Sequence, residues 1–378
     1  MIIGIPKETQ NFESRVSITP EIVKKLIKSN HSVLIEKDAG LNSNISNDAY
    51  ENAGATIENS LEDVLSKSEI IFKVNPLNQI ELKNIKDTST IISFFQIKDE
   101  VDNVQDYINK KITLFSMSHI PRTSLAQNMD ALSSQSNIAG YKSVIIGADH
   151  IAKYMPLLMT AAGTIKPAKV LILGAGVAGL SAIATAKRMG AQVYAFDVRP
   201  VVKEQVESLG ANFIEVESKD DEGTGEGGYA KEVSEDYKKK QGELIKDTIK
   251  NMDLIVSTAL IPERPAPILI DRQMVESMQA GSAIIDLAAI NGGNCELTKC
   301  DEIINHNNVI IDGRSYLPST MAQDSSQLYA KNLFNLFTHL YKNDNMLDID
   351  DEITNGSMLL NKGQINNDLL QKFLNKEF

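Results

Sequence analysis

Six consecutive residues carry the first chemical signal. Gly174-Ala175-Gly176-Val177-Ala178-Gly179 follows the apolar run Val170–Leu173 and opens a stretch of helical pattern. In that context the GxGxxG spacing assigns Gly174 to a tight turn, Gly176 to the close approach of a pyrophosphate, and Gly179 to close helix–strand packing. The phosphates would then face the positive end of the helix. Asp197 closes the next apolar run, Gln192–Phe196, at the place where a carboxylate hydrogen-bonds the adenosine ribose. A carboxylate there repels a 2′-phosphate, which favours NAD(H) over NADP(H), although Arg199 two residues later weakens that preference. The alternative is a tight βα turn without a ligand.

A second group lies upstream, in the stretch from Pro121 to Gln135. Read alone, Arg122 and Asp130 are a surface ion pair worth under about 1 kcal/mol. At the mouth of a cleft the same two residues would orient a nicotinamide carboxamide. The five histidines (His31, His119, His150, His306 and His339) show no metal-like spacing and read as ordinary surface or core residues. Cys295 and Cys300 are too few for a disulfide framework or a four-ligand zinc site, and they fit a reducing compartment.

The elements that must position these groups follow a βαβ rhythm. Strands are predicted at Ile2–Ile5, Val33–Glu36, Ile70–Val74, Ile91–Phe95 and Ile112–Met117, with a helix from Glu21 to Ser29 behind Pro20. A second unit has strands at Val170–Leu173, Gln192–Phe196, Asn212–Val216, Leu254–Thr258, Ala283–Leu287 and Val309–Ile311, which predicts six parallel strands. Its first helix, Leu180–Met189, stops at Gly190. Ser133–Lys153 reads as a connecting helix capped by Ser133 or Ser134, and Ser325–Leu340 as a second, apolar at Leu328, Leu333, Phe334 and Phe337. The expected fold is therefore α/β: two Rossmann-like domains with parallel sheets, joined by two interdomain helices around a cleft. Residues 1–132 plus 326–378 would form a flavodoxin/Rossmann-like domain with a returning C-terminal segment, and residues 133–325 the nucleotide-binding one.

Bulk properties agree with two cores. A chain of 378 residues with 42% hydrophobic content exceeds the size at which one core usually stops growing. Its net charge of −12 argues against nucleic acid, whose binding needs clustered Lys and Arg. The N-terminus shows no secretory signal, which places synthesis in the cytoplasm. Val170–Ala186 is uncharged but shorter than the roughly 20 residues of a membrane span, so no transmembrane segment is expected. The glycine-rich, charged stretch Lys219–Glu232 reads as a disordered excursion, or as a mobile flap whose Tyr229 folds onto bound nucleotide.

The blocks PRTSLAQNMDALSSQSNIAGYKSV, GAGVAGL, FDVRPVVKEQVESLGA, EGGYAKE, STALIPERPAPILI and DLAAINGGNCE together resemble the NAD(H)-binding first domain of proton-translocating NAD(P) transhydrogenase, over nearly the whole chain. The resemblance implies hydride transfer from NAD(H) bound here to NADP(H) on a partner subunit. It implies that Arg122 and Asp130 hold the nicotinamide end, that Ser133 contacts its carboxamide, and that Gln127 aligns the opposing nucleotide. Gly174, Ala175, Gly176, Val177, Ala178, Gly179, Asp197, Val198, Arg199, Ala259 and Leu260 would contact the bound dinucleotide, and Tyr229 would be the mobile-loop tyrosine. Leu125 departs from the family, which often has a basic residue just before the Ala-Gln pair. The implied assembly is a homodimer, peripheral on the cytoplasmic face of the inner membrane. Its partners would be the membrane subunits and the NADP(H)-binding domain, in a version whose membrane segments are separate polypeptides.

Two rival readings stay open at this level. Alanine dehydrogenase shares the architecture and would suit the N-terminal stretch GIPKETQNFESRVSITP; either family would place Arg15 and Lys73 in the cleft. Deamination needs a proton acceptor. Alanine dehydrogenases place a histidine near Phe95 and an aspartate near Ile290, whereas this chain has Gln96 and Ile290 itself. Transfer between two nicotinamides needs no such group, only correct placement of the rings. A non-catalytic NAD(H) sensor would keep the Gly174 turn and Asp197 but has no use for Arg122, Gln127 and Asp130 together.

Overall fold

The computed structural model describes residues 1–216, 234–260, 263–342 and 347–375. The chain divides into two compact units, Met1–Gln135 with Ser319–Phe378, and Ser136–Pro318. Lys219–Glu232, with Tyr229, lies outside the described residues.

In the first unit six strands run parallel, in the spatial order Thr56–Glu58, Ser32–Glu36, Ile2–Ile5, Ile70–Phe72, Thr90–Ser93 and Thr113–Ser116. The sheet then continues with Met358–Asn361 antiparallel to Thr113–Ser116, and Gln364–Ile365 antiparallel to that. Side chains alternate between its faces, as a pleat demands: Ile70 and Phe72 join one apolar cluster and Ile71 the other. The helix Ala322–Leu340 belongs to this unit and buries Tyr329, Leu333, Leu336, Phe337 and Leu340. Leu328, expected on its apolar face, is 38% exposed, because the buried stripe runs one residue further on.

The second unit has the strand order Asn212–Ile214, Gln192–Phe196, Lys169–Leu173, Leu254–Ser257, Ala283–Asp286, Val309–Asp312, all parallel, with Ile303–His306 antiparallel at the edge. The order reverses beside Lys169–Leu173, as in doubly wound dinucleotide-binding sheets. Six parallel strands are present as expected; the seventh, antiparallel one is a correction. Its cause is a two-residue hairpin at Asn307-Asn308, both at positive φ (52° and 62°). The C-terminal hairpin of the first unit turns the same way at Lys362-Gly363, with φ of 49° and 79°.

The connecting helix spans Ala131–His150. Its cap is not Ser133 or Ser134. The helix begins two residues earlier than the sequence suggests, so the Asp130 carboxylate takes the amide of Ser133 at 2.8 Å and serves as the cap. Farther along, a side chain at Gly140 would come 2.0 Å from the Ala178 carbonyl oxygen, in the first turn of the helix Val177–Arg188. The two helices touch backbone to backbone there, and Ser181 Oγ donates to the Asn137 carbonyl at 2.7 Å. Gly140→Ala should therefore destabilise the second unit by about 1–3 kcal/mol through overpacking, read as a lower urea midpoint at unchanged slope. A parental midpoint would contradict the contact.

Candidate functional site

The glycine turn in the second unit is built from the strand Lys169–Leu173 outward. That strand is apolar on both faces and buried after its first residue. Gly174 follows at φ +97°, a conformation that disfavours any side chain. A Cβ at Gly179 would stand 1.9 Å from the Gly174 carbonyl oxygen, so only glycine lets the helix start this close to the strand. Gly176 has no side-chain capping bond, and a Cβ there would meet only Arg199 Nη2 at 3.9 Å. Uncapped amides on a 12-residue helix, with open space above them, suit an anionic group. Ala175 is buried and Val177 exposed, with Ala178 intermediate.

Asp197 is buried and ties this turn to the next strand. Its Oδ2 accepts the Ala175 amide at 2.7 Å, and its Oδ1 accepts the Arg199 amide at 2.8 Å. The Arg199 guanidinium forks onto both oxygens at 2.8 and 2.7 Å. The Asp197 hydrogen bond raises the Arg199 pKa, with burial working against it. Arg199 is thus engaged by the carboxylate that the sequence reading reserved for ribose, with Val198 half-buried between them.

The segment after Leu254–Ser257 closes over the same turn. Thr258 donates its amide to the Leu173 carbonyl at 2.8 Å and its hydroxyl to the Gly174 carbonyl at 3.1 Å. Ala259 and Leu260 come next, and both main-chain polar groups of Ala259 are held by the Asn294 side chain. Thr258 and Asn294 were missed by motif reasoning. The signal was the DLAAINGGNCE block, where a strand ending in Asp runs into Gly-Gly-Asn.

In the first unit the Pro121–Ser133 segment is anchored at its middle. The Asn128 carbonyl accepts both Asn332 Nδ2 and Asn335 Nδ2 at 2.9 Å. This staple leaves Gln127 exposed in the short 3-10 turn Gln127–Met129. Arg122 is also exposed, and Leu125 is 80% exposed. Asp130 and Ser133 are brought together: Ser133 Oγ donates to Asp130 Oδ2 at 2.5 Å. His119, just before this segment, is pushed down to about 4 by burial, which keeps its ring neutral near pH 7.

Arg15 and Lys73 have internal partners in this unit. Arg15 binds Glu13 through Nε at 2.9 Å and Nη2 at 2.6 Å, and Gln135 through Nη1 at 2.9 Å. Lys73 is fully buried, 2.6 Å from Glu81 and 3.6 Å from Glu8. Burial disfavours its charge, but the two carboxylates outweigh that and raise its pKa. Lys73→Met should cost about 3–5 kcal/mol, because it strands two buried carboxylates; a loss under about 1 kcal/mol in urea unfolding would refute the ion cluster.

Comparison with known proteins now has geometry to rest on. The N-terminal domain model of the alanine dehydrogenase/PNT family matches residues 4–139 and its C-terminal domain model residues 143–368. The chain belongs to this family. It is 45% identical over 377 residues to the first of the polypeptides that make up NAD(P) transhydrogenase subunit alpha in Rhodospirillum rubrum, covering 97% of each chain. The solved transhydrogenase of Sinorhizobium meliloti superposes with a TM-score of 0.89 at 38% identity, over 97% of this chain and 100% of that one. Alanine dehydrogenase of Methanococcus maripaludis is 31% identical over 311 residues, 82% of this chain and 77% of that protein. The family is one of oxidoreductases with Rossmann-like folds, and both sheets described above fit it.

Proposed function

We propose that this chain is the NAD(H)-binding alpha subunit of a proton-translocating NAD(P) transhydrogenase. The observation that carries the reading is the relationship to a transhydrogenase alpha-subunit polypeptide along 97% of both chains. The glycine turn supplies the physical support, with its uncapped helix and the Asp197–Ala175 bond.

Bound NADH would supply a hydride, which passes to NADP⁺ on the partner subunit and leaves NAD⁺ here. This chain's task is placement. Gly174 to Gly179 would receive the pyrophosphate on main-chain amides. Asp197 would hold the adenosine ribose, with Val198 and Arg199 beside it and Ala259 and Leu260 on the other flank. Tyr229 would close from its loop. Arg122, Asp130 and Ser133 would hold the nicotinamide end, and Gln127 would align the opposing nucleotide. The Asp130 carboxylate already fixes the Ser133 hydroxyl, so the pair would enter as one oriented unit. Gln96, half-buried, and Ile290, 55% exposed, offer no carboxylate or imidazole to take a proton from an amine.

Among the described residues no helix is long and apolar enough to cross a membrane. Proton movement is accordingly assigned to separate membrane subunits, with this chain docked peripherally on the cytoplasmic side as a homodimer. Mixed with an NADP(H)-binding partner domain, the protein should exchange hydride between NADPH and an NAD⁺ analogue, followed by absorbance, while alanine with NAD⁺ gives no turnover. Alanine oxidation at an ordinary dehydrogenase rate would overturn the reading, and silence in both assays would favour a sensor. Asp197→Asn should weaken NADH binding by about 1–3 kcal/mol in calorimetry, since one oxygen acceptor becomes a donor. Parental affinity would remove the ribose contact from the scheme.

A further inference from the structure

Ala283–Asp286 ends in a carboxylate that is fully buried and has five donors. Asp286 Oδ1 accepts Ser257 Oγ and the Ala288 amide, both at 3.0 Å. Its Oδ2 accepts the amides of Asn294 and Cys295 at 2.8 and 3.0 Å, and Thr298 Oγ1 at 2.7 Å. One side chain therefore sets the path of the chain from Ala288 to Thr298, and with it the position of Asn294.

Asn294 is 0% exposed and spends its whole side chain on main chain. Its Oδ1 takes the Ala259 amide at 3.0 Å, and its Nδ2 donates to the Ala259 and Pro267 carbonyls, each at 2.8 Å. The Asn294 carbonyl accepts the amides of Leu269 and Ile270 at 2.8 and 3.0 Å. Only an amide satisfies this set. A carboxylate would face two carbonyl oxygens with no hydrogen to offer, and an apolar residue would leave three buried groups unpaired. On its other side the Thr258–Leu260 segment lies against the glycine turn: a Cβ on Gly174 would come 2.5 Å from Thr258 Oγ1 and 3.3 Å from the Ala259 nitrogen.

We propose that Asn294, held by Asp286, is a positioning residue for dinucleotide binding: it clamps Ala259 so that the Thr258–Leu260 segment presents one fixed backbone surface beside the Gly174 turn. The proposal rests on the reading of that turn as the NAD(H) site. It adds a residue that touches no nucleotide yet sets the affinity. Pre-forming a binding segment spares the ligand the cost of ordering it, so loosening the clamp raises Kd while leaving the reacting ends as they were.

The test compares the parental protein with Asn294→Asp and Asn294→Ala, measuring NADH binding by calorimetry, thermal unfolding, and hydride exchange with the NADP(H)-binding partner. The expected result is a Kd for NADH raised about tenfold or more in both variants, with kcat at saturating NADH within about threefold of parental. A purely structural role would lower the unfolding temperature and the active fraction at unchanged Kd, and that outcome overturns the proposal. Failure of the parental protein to bind NADH would instead sink the underlying reading of the turn. Should neither variant fold, hydrogen exchange on the parental protein decides. Exchange of the Leu254–Leu260 amides must slow when NADH is added, and unchanged rates overturn the clamp.

Discussion

The first turn of the helix Val177–Arg188 is pressed between two backbones. On one side the Gly174 carbonyl oxygen occupies the place where a side chain at residue 179 would begin, and on the other the Ala178 carbonyl oxygen occupies the place where one at residue 140 would begin. Neither contact has room for a methyl group, so this helix cannot slide or tilt away from the strand that precedes it without opening a void. Its free amides are consequently aimed at one point above the sheet. Any use of this unit as an anion or dinucleotide receptor depends on that clamped geometry more than on any side chain.

Carboxylates complete what the glycines begin. Asp197, Asp286 and Asp312 each stand at or just beyond the end of a parallel strand of the second unit, and each accepts a main-chain amide of the loop that follows: Arg199, Ala288 and Arg314 respectively. Asp197 also reaches back to Ala175, and Asp286 also gathers Asn294 and Cys295. A buried polar group is costly unless satisfied, and here the satisfaction is shared with loop amides that would otherwise be orphaned. The loops at the carboxyl edge of the sheet, where doubly wound folds bind ligands, are thereby made rigid without being buried themselves. The first unit solves a similar problem with opposite charges, since Lys73 sits between Glu8 and Glu81.

That contrast bears on how a shared fold separates two activities. Membership of the alanine dehydrogenase/PNT family leaves both chemistries available, because the sheets and the glycine turn serve either one. The side chains at Gln96 and Ile290 argue against proton abstraction from an amine, and the exposed Arg122 and Gln127 argue for a surface that meets another protein. Holding Asn128 to the return helix while its neighbours face outward is a sensible arrangement for such a surface.

Much of the architecture was legible from residue order alone. Near-continuous apolar runs such as Val170–Leu173 and Leu254–Ser257 announce strands buried on both faces, and the glycine spacing that follows the first of them announces its turn, because those signals are local. The two antiparallel edges were equally local, in Asn307-Asn308 and Lys362-Gly363, but they demand attention to φ-permissive pairs rather than to apolar period. Folding alone decided the rest. Asp130 became a helix cap because the helix starts earlier than its apolar pattern, and Arg199 became the partner of Asp197 because two strands and a turn converge on it. Asn294 meets Ala259, 35 residues away in sequence, through a loop whose shape Asp286 imposes. Hydrogen bonds across such separations leave no period in a sequence, since they depend on where the chain returns and not on what stands beside it.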